Sequence, residues 1–167
     1  MTTTSITHRL PRLHLFGAAG APRMSDAELA ALLETLLQAE RREAGAIDPF
    51  LDEAVDDIHT RLAHMQRVAS HNIAALACLL RRFEARPREA RPSLPDLRLT
   101  RASFGARLEL LQRGQAWMAR TIERALPRIG DGGVRDALGV VRESHLLNIG
   151  VCRGILVDLG YRRFAAR

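Results

Sequence analysis

Lysine is missing from this chain: all 25 basic residues are arginine. Together with abundant alanine, that pattern reads as the coding bias of a GC-rich bacterial genome. The net charge of +6 is therefore a poor argument for a nucleic-acid partner. Aromatic residues make up only 4%, with one Trp and one Tyr, which excludes a base-stacking platform and disfavours an all-β fold. The two cysteines, Cys78 and Cys152, are too few for a disulfide framework or a four-thiolate zinc site. No apolar run approaches the ~20 residues of a membrane span, so a membrane partner is not expected. No sustained alternation of β-branched residues suggests a sheet. No catalytic triad, P-loop or dinucleotide fingerprint is present.

What remains is a 167-residue chain that is 47% hydrophobic and 26% charged, a globular composition with enough length for one packed domain. Residues 1–24 contain Arg9, Arg12 and Arg23 but no acid, and are rich in Thr, Gly and Pro. They read as a flexible N-terminal tail and a poor signal peptide, with Met24 a candidate start and the cytoplasm the expected location. Residues 25–160 form the expected domain, and 161–167 a short C-terminal tail.

Four helices are expected in that domain. The first follows the capping pair Ser25 and Glu28 and runs to about Ala54, with an inner seam of Leu29, Leu33, Leu36, Glu40, Glu43, Ile47 and Phe50. The second covers about 57–84, with Ile58, Leu62, Met65, Ala69, Asn72, Leu76, Leu79 and Phe83 inward. The third covers about 102–129, with Phe104, Leu108, Leu111, Gln115, Met118 and Ile122, and ends at the Gly-Asp-Gly-Gly stretch 130–133. The fourth covers about 134–159, with Val134, Leu138, Val141, His145, Asn148, Cys152, Ile155 and Leu159.

The short links between helices one and two, and between three and four, predict two antiparallel hairpins. The Pro- and Arg-rich segment 85–100 can reach ~50 Å when extended. A helix of this size is ~42 Å long, so the segment is long enough to cross the whole bundle. Its arginines also make it a candidate surface for an acidic protein partner; a homodimer is the other partner considered, and nucleic acid is not expected.

Every seam is interrupted by polar residues near its middle. Glu40, Asn72, Gln115, His145 and Asn148 should therefore meet in one buried layer, with Glu43 one turn from Glu40. Unless they bond one another, such groups cost about 1–3 kcal/mol each. On helix two, His64, His71 and Cys78 form a separate file at seven-residue spacing. Ligands a heptad apart on one helix cannot wrap one metal, so that file reads as a flank packed on a neighbour. Trp117 is expected to pack on an adjacent helix, and Cys152 to be an inert core thiol.

The layout, and the stretches Leu32–Arg41 (LLETLLQAER), Arg113–Arg120 (RGQAWMAR) and His145–Ile149 (HLLNI), resemble the ferritin-like superfamily of rubrerythrin and bacterioferritin. The nearest likeness is to an uncharacterised bacterial group of ferritin-like domains, over roughly residues 25–157. The resemblance implies an all-α, ferritin-like four-helix bundle. It also implies a metal site of Glu side chains and Glu-x-x-His pairs in the core. Carried over position by position, Glu40 matches the first Glu. Ala69 and Asn72, then Gln115, then His145 and Asn148, stand where the other ligands would be. One carboxylate of four remains, and amides bind iron or manganese poorly. The leading expectation is therefore a degenerate site turned into a polar layer, with no resident cofactor. Such a layer could take a small ligand, or one iron or manganese ion weakly through Glu40, Glu43 and His145. A register shift in helix two would bring Val68 and His71 inward instead. The alternatives are a metal-dependent oxidoreductase using Glu40, Glu43, His71 and His145, and an Arg-rich interaction module. Whether the chain is an enzyme is left open by its sequence.

Overall fold

The computed structural model describes residues 22–84 and 102–160. The tails 1–21 and 161–167 and the 85–100 segment, with the partner role assigned to it, lie outside the described residues. Four α-helices and one 3₁₀ turn make up the described residues, which contain no strand. α1 spans Asp26–Glu53, α2 Asp56–Arg81, α3 Phe104–Ala125 and α4 Gly132–Asp158.

Each boundary has a local cause. At α1 the Glu28 N–H donates to Ser25 Oγ (3.2 Å) and the Ser25 N–H donates to Glu28 Oε2 (2.8 Å), a reciprocal cap. Pro49 lies within α1 without ending it. Its missing N–H leaves one turn without a bond. Asp56, with φ at 50°, turns the chain between α1 and α2, a conformation that Asp tolerates better than most residues. Ser103 caps α3 through the Ala106 N–H (3.3 Å). Pro127 cannot continue the α-helical ladder, and α3 closes in the 3₁₀ turn Leu126–Arg128. The glycine-rich stretch differs from expectation in one respect. Asp131 accepts the Val134 N–H (2.9 Å), and this cap draws Gly132 and Gly133 into the first turn of α4. Ahead of α1, the Met24 N–H donates to the Arg128 carbonyl (2.8 Å), so residues 22–24 rest on the end of α3.

The inner seams are buried through most of their length; Glu43, Ile58, Phe83 and Phe104 are only partly buried, and Leu159 is exposed beyond the last turn of α4. The buried side chains fall into two apolar clusters, each fed by all four helices. One joins Leu29–Ala39 of α1, Leu76, Leu79 and Leu80 of α2, Met118–Ala125 of α3 and Val134–Val141 of α4. The other joins Ile47 and Phe50 of α1, Leu62 and Met65 of α2, Leu108 and Leu111 of α3, and Cys152, Ile155 and Leu156 of α4. Each fully buried Leu or Ile stabilises by about 1.5–3 kcal/mol. Arg107 closes the second cluster by stacking on Phe50 and pairing with Glu53. Between the clusters, every helix switches from apolar to polar at the same level.

A candidate metal centre in the polar layer

Glu40, Asn72, Gln115, His145 and Asn148 are all buried, with His145 wholly enclosed and Glu40 and Gln115 only 1% exposed. Their hydrogen bonds form two chains. Asn72 Nδ2 donates to Glu40 Oε1 and to Ser144 Oγ, both at 2.9 Å. The Ser144 hydroxyl donates in turn to the Val141 carbonyl (2.7 Å). On the other side, Gln115 Oε1 lies 2.6 Å from His145 Nδ1 and accepts from Asn148 Nδ2 at 3.3 Å. An amide oxygen can only accept, so His145 Nδ1 carries its hydrogen.

This tautomer decides what the other ring nitrogen does. Unless the ring is doubly protonated, His145 Nε2 presents a lone pair, and it faces Glu40 Oε2 at 3.2 Å. No hydrogen bond joins these two atoms, and neither has another partner. Glu43 Oε2 is likewise without one. Atoms of Glu40, Glu43 and His145 that could ligate a metal lie within 4.8 Å of one another. The layer therefore gathers three possible ligand atoms without hydrogen-bond partners at one place and meets the outer atoms of Glu40 and His145 with amides.

The electrostatics match the geometry. Burial, with the neighbouring Glu40 carboxylate second, pushes Glu43 up to about 8 from an ordinary 4.5, against a smaller opposing effect of Arg42. Glu43 thus holds a proton at neutral pH unless a cation takes its place. Burial and the Glu43 charge push the Cys152 thiol up to about 12, so Cys152 is a packed, unreactive thiol.

Residues 22–153 match a family described as a domain of unknown function, DUF6306. The chain belongs to that family. No curated protein and no solved structure matches it. In this DUF6306 chain the match takes in α1, α2, α3 and most of α4, and so every residue of the polar layer.

The six residues expected in the layer come together, Glu43 at its partly buried edge. His71 does not join them. It is exposed on α2, its Nδ1 bonded to the Arg67 carbonyl (2.8 Å), because Asn72 and the apolar seam set the register. His64 and Cys78 are exposed as well, so the file faces solvent and does not pack on a neighbour. Trp117 is 43% exposed, turned out by the inward register of Gln115 and Met118. Two participants are absent from the sequence reading. Ser144 links Asn72 to α4, and its only signal is its place beside His145. Gly114 lies against Glu43, with its place beside Gln115 as the only cue.

Proposed function

We propose that this protein is a ferritin-like four-helix bundle whose polar layer holds a single divalent cation through Glu40, Glu43 and His145. The observation that carries the reading is the convergence of three buried ligand atoms without hydrogen-bond partners, two of them 3.2 Å apart. Ligands on one cation at ~2.1 Å each stand about 3 Å from one another. Around them, Gln115 fixes the His145 tautomer and Asn72 fixes Glu40, the outer hydrogen bonds that metal ligands ordinarily have. Two carboxylates and one imidazole suit manganese(II), iron(II) or zinc(II). A second cation has too few anionic ligands, because Ala69, Gln115 and His145 stand where the ferritin-like template has its other carboxylates.

The make-up of the apolar clusters supports the bundle topology. The start of α1 and the end of α2 share one cluster, as do the end of α3 and the start of α4. That pairing fits two antiparallel hairpins with α2 and α3 parallel, and a connection long enough to run the length of the bundle.

A second reading has its own support. With a proton at Nε2, His145 and Glu40 would form a buried ion pair that fixes helix register, and their bonds to Gln115 and Asn72 would serve it equally well. Titration of the metal-free protein with manganese(II), iron(II) and zinc(II) separates the two. The cation reading expects about one ion per chain and a raised melting temperature, since a ligand bound only to the folded state stabilises it. Both effects should vanish in Glu40→Gln. An unchanged melting temperature with all three ions would favour the ion pair.

A further inference from the structure

Glycine in the middle of a helix is unfavourable, and its usual justification is a backbone conformation closed to other residues. Gly114 has no such need. It lies ten residues into α3, and among the described residues only Gly160 has a glycine φ in the left-handed region. What sets Gly114 apart is its neighbour. A Cβ at this position would fall 2.2 Å from Glu43 Oε1 and 3.2 Å from Glu43 Cδ. Both distances are shorter than ordinary contact, and the first cannot be relieved without moving the carboxyl group. By contrast, Gly45, Gly132, Gly139 and Gly150 have nothing within 4 Å of the same position.

We propose that Gly114 is a positioning residue for the candidate cation site: its missing side chain is the space on α3 that receives the Glu43 carboxylate and keeps it beside Glu40 and His145. The proposal rests on the cation reading above. Glu43 is the natural ligand to need such help. His145 and Glu40 are anchored by Gln115 and Asn72, whereas Glu43 Oε2 is without a hydrogen-bond partner. The shape of α3 at Gly114 takes the place of that bond. A methyl group at this position would drive the carboxylate out of contact with α3. The site would then keep two ligands in place of three.

The test compares Gly114→Ala with Gly150→Ala, which adds the same methyl group to α4 in open space. In the metal-free crystal structure of Gly114→Ala, the Glu43 carboxylate should be displaced by about 1 Å or more, the shift needed to restore ordinary contact at ~3.4 Å. Manganese(II) affinity should fall by about tenfold or more, the usual effect of losing a residue that supports a ligand. Gly150→Ala should bind like the parent protein. Shortening the side chain in the double variant Gly114→Ala with Glu43→Asp should recover part of the loss, although Glu43→Asp alone should weaken binding. A carboxylate that keeps its place in the Gly114→Ala crystal structure would overturn the proposal. So would parental affinity in Gly114→Ala, or losses from the two changes that simply add. If the parent protein binds none of manganese(II), iron(II) and zinc(II), the cation reading fails. The crystal structure of Gly114→Ala then still decides whether Gly114 places Glu43.

Discussion

The two apolar clusters and the polar layer between them both lie inside the bundle but hold together differently. In the clusters, Leu33, Leu36, Leu62 and Leu108 are fully enclosed, and each contributes by leaving water, whichever apolar neighbour it meets. In the layer no group is satisfied alone. Glu40 relies on Asn72, His145 on Gln115, and Asn72 on Ser144 as well. Apolar burial tolerates approximation, whereas a polar layer depends on partners in fixed positions. Three atoms left over in so interdependent a layer therefore point to something that completes them.

The largest expected effect belongs to the clusters. Leu36→Ala should destabilise by about 2–5 kcal/mol through lost transfer energy and a cavity, measured by denaturant unfolding. The loss should be the same with and without metal. In the layer, Glu40→Ala or His145→Ala should cost about 2–4 kcal/mol in the metal-free protein, because each strands a buried partner. The double change Glu40→Leu with Asn72→Leu removes a hydrogen-bonded pair together and should cost less than the sum of the singles. Strict additivity would break the comparison, since it would make the layer behave like the clusters.

Next in size is a dependence on pH. Metal-free, folded Glu43 titrates near 8 and the unfolded chain near 4.5. Between those values the folded state holds the extra proton. Stability from this group is therefore complete below about 4.5 and is lost as pH rises to about 8. Glu43→Gln should abolish that slope. Cation affinity should run the opposite way, rising by about tenfold per pH unit up to about 8, because the ion must displace the proton. The smallest effect is expected at His71. His71→Ala should change stability by about 0.5 kcal/mol or less and leave cation affinity unaltered, as for a surface residue.

Much of the fold was legible because seven-residue spacing sets which side of a helix faces inward. Leu29, Leu33, Leu36 and Glu40 announce the inner face of α1 without help from any other helix. The coincidence of polar interruptions at mid-helix was enough to bring six residues of the layer together. Spacing says less about what lies outside the seam. His64, His71 and Cys78 share a file, but His71 is one residue from Asn72 and thus about 100° around the helix from it, a turn that carries it to solvent. The seam spacing places Leu159 inward, but α4 ends one residue before it; Trp117 is expected to pack on an adjacent helix, but the register of Gln115 and Met118 turns it out. Gly114 was illegible for another reason. Its role is the space it leaves for a side chain of α1, and no pattern within α3 encodes that. The tautomer of His145 likewise depends on the partner of Nδ1, which exists only once α3 and α4 have packed.

The central claim is that His145 Nε2, Glu40 and Glu43 share one cation. The most direct measurement is electron spin-echo envelope modulation on the protein loaded with manganese(II). The account predicts about one bound ion per chain, with modulation from a single directly coordinated imidazole nitrogen that disappears in His145→Ala. Manganese(II) bound without nitrogen coupling, or no stoichiometric binding at about pH 8, would contradict it.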